Sequence, residues 1–262
     1  MIIKQKNILK TNILILFLGL FLIVKTTFGQ YTPVSSTYTS IMVNSENAKA
    51  PDTLIAKFIE TYRLAVQKKM NVTIASSEQA IEAEKPEGTL NNLVADAVFQ
   101  IGKIHYKPAD GKNIDFCLLN YGGLRKSLPK GNIMIGNVFE LMPFDNQLCV
   151  ITLKGAQVVQ LFDFLAKKIE GHPIANCRLI VDNNQATQIT IGGVALDSSK
   201  TYKVVTNDYL STGNDGMYFF KQALKVETID CLIRDAILDY LRKNGEKPLN
   251  LVKDGRYTVK YQ

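Results

Sequence analysis

The residues best suited to chemistry lie in one loop, which begins at Asn120 and ends at Arg125. The apolar segment 114–119 directly precedes the loop and predicts a strand that leads into it. Gly122 and Gly123 have no Cβ atom, so they allow the chain to reverse within a few residues. After that reversal, the guanidinium of Arg125 is expected to point back at whatever occupies the loop. The spacing therefore predicts a binding loop that carries one cation.

An aromatic ring follows on a stiffened turn. Pro143 fixes one backbone dihedral directly before Phe144, so the ring stands on a turn and not in a periodic core segment. Each part alone has a plainer interpretation, because a glycine pair is often only a turn, a lone arginine is often a surface charge, and a Pro-Phe pair often fills a core. Together they favour a site that offers a cation and an aromatic ring to one ligand.

The elements around this loop are predicted from hydrophobic periodicity. Apolar residues recur at helical spacing over 51–69, 89–101, 154–168 and 228–243. Short apolar or alternating runs predict strands over 72–75, 114–119, 148–153, 178–181, 188–191 and 203–206. Helices and strands alternate irregularly, without an internal repeat. The sequence therefore predicts a single α+β domain with a mixed β-sheet packed by helices.

The first residues predict export. Lysines precede the uncharged apolar run 13–24, which is shorter than the roughly 20 residues of a membrane span, and small residues follow up to Gly29. We interpret 1–29 as a signal peptide, with an uncleaved N-terminal anchor as the alternative. Residues 30–50, rich in Ser, Thr and Asn, predict a flexible leader, and 51–262 the folded domain.

Net charge limits the classes of binding partner that the sequence supports, and the cysteine pattern predicts the state of the thiols. Removing 1–29 removes four lysines and no acidic residue, so the formal charge falls from +7 to +3. No block of Lys and Arg indicates a nucleic-acid partner, and no membrane partner is expected after signal cleavage. A periplasmic or secreted protein with this mild positive charge suits a small anionic ligand. Four cysteines in apolar segments, without a Cys-x-x-Cys pair, are interpreted as buried free thiols: Cys117, Cys149, Cys177 and Cys231.

Three motifs together resemble a known family. They are the loop 120–131 with the turn and strand 143–155, the segment 202–216, and the segment 87–97. In order and spacing they are similar to the C-terminal domain of the 5'-nucleotidase and UDP-sugar hydrolase family, and the similarity covers 51–262. In that family a larger N-terminal domain holds two metal ions and performs the hydrolysis, while the C-terminal domain binds the nucleotide. The resemblance implies the fold and the binding task of the second domain.

The resemblance also implies roles for individual residues. Phe144 and Tyr209 match the two aromatic residues that stack on the faces of the base, and Tyr209 stands where the family usually has Phe. Asp215 matches the carboxylate that accepts hydrogen bonds from the ribose hydroxyls, in a loop formed by Gly213 and Gly216.

Further contacts are implied for the phosphate and the base. Arg125 matches an arginine directed at the phosphate, because its planar guanidinium can bind two oxygens at once. Asn120 matches an asparagine that hydrogen-bonds base or phosphate, and Asn146 is a candidate for a base contact. Lys85 stands where the family usually has an arginine, so it keeps the charge and loses the bidentate geometry. Cys177 and the residue before it replace a common Ser-Gly pair, which predicts altered affinity or base preference.

The catalytic half of the family pattern is missing from this sequence. A pair of metal ions needs several clustered His, Asp and Asn ligands, whereas the chain has two histidines. His105 lies near a predicted helix end, and His172 lies in a predicted loop before Pro173. No catalytic residue, metal ligand or cofactor is therefore assigned to this chain, and the divalent metals are expected only in a partner.

The leading hypothesis is the nucleotide-recognition half of a 5'-nucleotidase-type phosphohydrolase that works with a separate metallophosphatase chain. Its ligand would be a nucleoside monophosphate or a related nucleotide, and hydrolysis by this chain alone is not expected. One alternative is an exported nucleotide- or nucleoside-binding protein, or pseudoenzyme, without hydrolytic activity. Another is a structural or adhesive protein whose pocket no longer binds anything. The candidate site residues fit the first two hypotheses equally well.

Overall fold

A computed structural model describes residues 35–42 and 52–260 of the chain. The predicted signal peptide and most of the predicted leader lie outside the described residues, and 35–42 are irregular and exposed. The chain divides into two units, Met1–Asp52 and Thr53–Gln262, and the fold described here belongs to the second unit.

Helices and strands alternate along the second unit. Its helices are α1 (Thr53–Met70), α2 (Thr89–His105), α3 (Ile135–Leu141), α4 (Gly155–Lys168), α5 (Asp208–Ser211) and α6 (Ile233–Asn244). Its first strands are β1 (Thr73–Ser77), β2 (Phe116–Leu118), β3 (Gly131–Met134), β4 (Gln147–Lys154), β5 (Ile174–Ala175) and β6 (Cys177–Asp182). Its later strands are β7 (Gln185–Ile191), β8 (Val194–Ala195), β9 (Thr201–Asn207), β10 (Lys225–Leu232) and β11 (Tyr257–Lys260).

These strands form three sheets, two of which are mixed. The central sheet has the order β10-β4-β9-β2-β5, in which β2 and β9 are parallel and all other neighbours are antiparallel. A second sheet has the order β11-β6-β7-β8, with β11 parallel to β6, and β1 pairs with β3 in a two-stranded sheet. The predicted α+β fold with a mixed sheet packed by helices is confirmed, although the strands divide among three sheets.

The central sheet is covered on both faces. Successive side chains of β2 point to opposite sides, as they must in a strand. Phe116 and Leu118 pack in one core with Phe162 of α4, whereas Cys117 packs in the other core with Val94 of α2. The two faces are therefore buried in separate apolar layers, and this burial holds the sheet rigidly between its helices.

One edge of the central sheet receives five chain segments. β2 and β9 run parallel and both end at this edge, while β4 and β5 run antiparallel to them and begin there. β10 is antiparallel to β4 and also ends there. The pairs Leu148 with Asn207 and Gln147 with Leu232 mark the position of the edge. The loops that carry the predicted site residues are attached to these strand ends.

The last helix is shorter than predicted. Residues 228–232 belong to β10, and α6 begins only at Ile233, so the predicted helix 228–243 is wrong over its first part. Ile229 and Cys231 are both buried and are separated by one exposed residue, which is the burial pattern of a strand. In the sequence, Ile229 also fits the helical spacing of the apolar residues that follow it. Pairing with β4 decides in favour of the strand. All four cysteines are buried and free, as predicted.

Helix α1 is confirmed, but none of its residues is buried. The rings of Phe58 and Tyr62 lie on its predicted apolar face, are mostly exposed, and contact each other edge to face at 5.2 Å between ring centres. None of the described helices is both long and apolar enough to cross a membrane.

A partly buried ion-pair cluster ties the C-terminal strand to α2. The guanidinium of Arg256 donates to both carboxylate oxygens of Asp96, at 2.7 and 3.1 Å, and to both carboxylate oxygens of Asp254, at 3.0 and 2.7 Å. It also donates to the carbonyl of Ile174 at 3.0 Å. Burial raises the pKa of Asp96, which the neighbouring guanidinium opposes. The cluster thus joins α2, β5 and β11 across the two cores.

We expect Arg256→Ala to lower the free energy of unfolding by about 2 kcal/mol, because it leaves the partly buried carboxylate of Asp96 without its cation. The measurement is urea unfolding followed by circular dichroism. Arg242→Ala is the matched control, since Arg242 pairs with Asp239 where both side chains are about half exposed, and its loss is expected to cost less than about 0.5 kcal/mol. Equal effects of the two changes would contradict the structural role of the cluster.

Candidate functional site

A cleft of about 590 Å³ opens at the loop-bearing edge of the central sheet. It unites six of the seven predicted ligand-binding residues, together with Gly122 and Gly123: Asn120, Arg125, Phe144, Asn146, Tyr209 and Asp215. Lys85 lies outside the cleft lining, with its Nζ 4.9 Å from the ring centre of Tyr121. Residues that are far apart in sequence therefore meet here because the strand ends bring them together.

The glycine pair lies in a single 3-10 turn, Tyr121–Gly123, which begins three residues after the last residue of β2. The turn is closed by a hydrogen bond from the N–H of Gly123 to the carbonyl of Asn120 at 3.2 Å. Neither glycine has a positive φ, and an added Cβ at either would make only ordinary contacts. The feature of these glycines that matters is therefore the lack of a side chain. A side chain at Gly122 or Gly123 would project toward the cleft that both residues line.

The predicted cation and ring lie side by side. The guanidinium carbon of Arg125 is 5.9 Å from the ring centre of Phe144, within the range of a cation–π contact. One nitrogen of the same guanidinium is 3.4 Å from the carbonyl oxygen of Gly122. Arg125 is exposed and Phe144 is 43% exposed, so both remain accessible to a ligand. This arrangement presents a flat apolar surface beside a positive charge.

Asparagines fix the strand ends that form the floor of the cleft. Asn207 ends β9 and caps α5, because its side-chain oxygen accepts the N–H of Leu210 at 2.7 Å. Its side-chain nitrogen donates to the oxygen of Asn120 at 3.1 Å. Asn146 donates to the carboxylate of Asp208 at 2.8 Å, which joins the start of β4 to the end of β9. These bonds hold the predicted amide groups in place.

The second ring and the carboxylate are hydrogen-bonded to each other. The hydroxyl of Tyr209 donates to Oδ1 of Asp215 at 2.7 Å, and this bond raises the pKa of the phenol above its ordinary value. Asp215 lies in the left-handed region with φ of 55°, between Gly213 at 85° and Gly216 at 80°. Glycine adopts such angles without a steric cost, so the two glycines make the turn that presents the carboxylate.

Arg234 is a residue of this site that the sequence prediction missed. It lies in the first turn of α6 and is 9% exposed. Its guanidinium is 3.4 Å from the carbonyls of both Met142 and Phe144, 2.5 Å from the carboxylate of Asp145, and 4.3 Å from the ring centre of Phe139. One buried cation thus contacts the backbone of the turn that carries Phe144. No local motif marks it, because its contacts are about 90 residues away in sequence.

The metal ions implied by the resemblance have no fitting site in the described part of the chain. Among residues 35–42 and 52–260, no group of three His, Cys, Asp or Glu side chains is placed to hold a metal ion. His172 lies in the irregular segment before β5, as predicted, and its side chain is buried. The cleft is lined instead by two aromatic rings, three asparagine amides, one guanidinium and two carboxylates.

Comparison with known proteins identifies one family. The family model described as "5'-nucleotidase, C-terminal domain" matches residues 64–222. A 5'-nucleotidase of Vibrio vulnificus is 26% identical over 170 residues, which is 63% of this chain and 30% of the relative. A cell wall protein of Listeria monocytogenes is 26% identical over 221 residues, or 78% of this chain and 27% of the relative.

A solved structure is similar over most of the chain. The 5'-nucleotidase precursor of Thermus thermophilus superposes with a TM-score of 0.67 and 26% identity, covering 81% of this chain and 44% of that one. The chain therefore spans less than half of the length of these relatives. The region that the family model matches, 64–222, contains β2, β4, β5 and β9 of the central sheet and all the residues that line the cleft.

We expect Arg234→Lys to loosen the loop that carries residue 144. Lysine keeps the charge but cannot reach two carbonyls and a carboxylate with one planar group. The chain has no tryptophan, so Phe144→Trp introduces a single fluorescent reporter at this position. Adding Arg234→Lys to that variant should shift its emission to longer wavelength and increase quenching by acrylamide.

The matched control for this measurement is Arg242→Lys in the same reporter background, since Arg242 lies on the same helix and is about half exposed. Its emission and quenching should equal those of the reporter alone. Identical spectra for the Arg234 and Arg242 variants would show that Arg234 does not hold the loop.

Proposed function

The chain belongs to the 5'-nucleotidase C-terminal domain family, and on that premise we propose that it is the nucleotide-recognition part of a 5'-nucleotidase-type phosphohydrolase. The observation that carries the proposal is the chemistry of one cleft. Two aromatic rings, a guanidinium and a carboxylate line it together, at Phe144, Tyr209, Arg125 and Asp215. A nucleoside monophosphate has a flat base, a sugar with hydroxyl donors and an anionic phosphate, so each part meets a suitable group.

Stacking supplies the affinity for the base. A base that stacks on an aromatic ring such as Phe144 gains about 1–3 kcal/mol, whichever base it is, because every base has a π face. The rings of Phe144 and Tyr209 line the same cleft and are 43% and 42% exposed, so each can present a face to a ligand. Recognition by stacking predicts broad base tolerance, with Asn120 and Asn146 as the candidate hydrogen-bonding partners at the base edge.

Charge and hydrogen bonding orient the rest of the ligand. Asp215 can accept from sugar hydroxyls, and its bond from Tyr209 already holds the carboxylate in position. Arg125 can bind phosphate oxygens through two parallel N–H groups. Lys85 lies over Tyr121 and outside the cleft, so we assign it no direct contact and propose that it adds positive potential near the loop.

Phosphate release is assigned to a different polypeptide in this proposal. Relatives named 5'-nucleotidase are much longer than the region that matches this chain. In the Vibrio vulnificus protein, the match covers 30% of the relative's length. Hydrolysis of a phosphate ester by a metallophosphatase uses two divalent ions to polarise the phosphoryl group and to generate hydroxide. We propose that a separately exported metallophosphatase chain supplies those ions, and that this chain presents the nucleotide to it.

Export to the periplasm or the exterior is part of the same proposal. It is supported by the basic and then apolar pattern of 1–29. A matched structure is described as a precursor, and a matched relative as a cell wall protein. An exported protein with this cleft would act in the scavenging of extracellular nucleotides.

A second candidate function is capture of nucleotides or nucleosides without hydrolysis. It uses the same cleft, and the exposed rings of Phe144 and Tyr209 favour it as much as the first candidate. The two candidates differ only in whether a metallophosphatase joins the complex.

Arg125→Ala should weaken AMP binding about 10- to 100-fold and adenosine binding less than about threefold, because the guanidinium is assigned to the phosphate. Calorimetric titration of both ligands measures the difference. Lys126→Ala is the matched control, since Lys126 is the adjacent cation and pairs with Glu140 at 2.7 Å on the exposed surface. Equal losses for AMP and adenosine in Arg125→Ala would disprove the phosphate role.

The partner is tested by affinity purification of the tagged chain from the exported fraction of its own cell. We expect a metallophosphatase to co-purify and to hydrolyse AMP in the presence of Mn²⁺ or Zn²⁺, with the activity lost in EDTA. The Phe144→Ala chain should capture the same partner while the complex shows a raised KM for AMP. Nucleotide binding without any metallophosphatase in the complex would favour the second candidate function.

A further inference from the structure

His172 is a buried titratable residue that lies beside the turn of the cleft and outside its lining. Its side chain is 2% exposed, and its Nδ1 accepts a hydrogen bond from the backbone N–H of Tyr121 at 3.2 Å. We propose that neutral His172 is a positioning residue that holds the Tyr121–Gly123 turn in its binding geometry, and that its protonation releases the turn and weakens ligand binding. This inference rests on the proposed function, because it concerns regulation of the same cleft.

The hydrogen bond fixes which nitrogen of the ring is protonated. A nitrogen that accepts an N–H carries no proton, so the neutral imidazole of His172 must carry its proton on Nε2. That Nε2 is buried and makes no hydrogen bond within the described residues, although it lies 3.4 Å from a carboxylate oxygen of Glu170. The imidazole also packs against the ring of Phe164 in α4, and the two ring centres are 6.4 Å apart. The imidazole is therefore held in one orientation by packing against Phe164 and by the hydrogen bond that Nδ1 accepts from Tyr121.

Protonation would place two donors against each other. An imidazolium carries a proton on Nδ1, which would then face the N–H of Tyr121 where an acceptor stood before. The turn would have to move, and with it the carbonyl of Gly122, which lies 3.4 Å from the guanidinium of Arg125. The same turn starts at Asn120, whose side chain is bonded to Asn207. Protonation of His172 would therefore change the positions of two groups that line the cleft, the guanidinium of Arg125 and the amide of Asn120.

The surroundings of His172 set the direction of its titration. Burial is the largest influence and lowers the pKa below its ordinary value, because it disfavours the charged ring. The carboxylates of Glu170 and Asp215 and the backbone carbonyl of Leu119 oppose this by favouring the charged ring, while the ammonium of Lys85 adds to the lowering of the pKa. The charged side chains come from the segment after α4, from the turn at 213–216 and from the segment before α2. At neutral pH the ring is neutral, and the hydrogen bond to Tyr121 is present.

The sign of the pH effect follows from this lowered pKa. A group whose pKa is lower in the folded state favours folding while it is neutral, and this contribution is lost as the pH falls through its folded-state pKa. The accepting Nδ1 is lost over the same range, which lies below the ordinary histidine value of about 6.5. Binding at the cleft should therefore be strong at neutral pH and weaker in mild acid.

Two substitutions of His172 separate the acceptor from the titration. In His172→Asn, the side-chain oxygen is attached to Cγ as Nδ1 is, so it can accept the N–H of Tyr121 and does not titrate. In His172→Phe, a ring of similar size remains without an acceptor. A role limited to filling space would leave the Phe variant similar to the native protein, whereas the positioning role favours the Asn variant.

The test is calorimetric titration with adenosine between about pH 7.5 and about pH 5. Adenosine is used because the phosphate of AMP itself titrates near about pH 6. We expect affinity of the native chain to fall about tenfold in acid, the Asn variant to show no such fall, and the Phe variant to bind weakly throughout. The same fall in the native chain and the Asn variant would overturn the inference.

A second measurement does not depend on a ligand. In the native chain the amide resonance of Tyr121 should titrate with the same midpoint as the imidazole of His172, and in His172→Asn it should not titrate. Absence of adenosine binding at neutral pH with this coupling intact would reject the proposed function and keep the switch. An amide resonance that does not move while His172 titrates would reject the switch.

Discussion

The direction of the strands in the central sheet is the constraint on which the cleft depends. Because β2 is parallel to β9 and all other neighbouring strands are antiparallel, three strand ends and two strand starts meet at one edge. Main-chain hydrogen bonds fix this register, and a slip of one residue would turn Phe116 and Leu118 from one buried core into the other. The loops attached to this edge therefore have fixed origins, and each needs only a few residues to bring its side chain into the cleft.

Buried polar groups then hold those loops in position. Arg234 binds the carbonyls and the carboxylate of the loop that carries Phe144, and His172 accepts the first N–H of the turn after Asn120. Neither residue lines the cleft, and both are nine-tenths buried or more. Groups held in this way lose little freedom when a ligand arrives, which is the physical basis of a preorganised site. The apolar faces of α6 and α4 lie in the two cores that cover the central sheet.

The sequence predicted site residues that belong to short local motifs. It did not predict the roles of residues whose contacts are distant in sequence. The loop 120–125 could be found from its own residue types, and Asp215 could be found because the short segment around it resembles a family motif. Arg234 and His172 could not, since their partners are set by strand pairing between distant segments. The same limit explains the error at 228–232, where apolar spacing fits a helix and pairing with β4 imposes a strand. The periodicity of apolar residues depends on one segment alone, whereas the pairing and register of a strand depend on the neighbouring strand.

The measurement that tests the central claim most directly is calorimetric titration of the purified chain with AMP in the presence of EDTA, which excludes any contribution from a metal ion. The account predicts saturable binding that EDTA leaves unchanged and that the double variant Phe144→Ala, Tyr209→Ala abolishes, since both rings line the cleft. Absence of binding at about 1 mM AMP, or equal binding by the double variant, would contradict the assignment of this cleft as a nucleotide site.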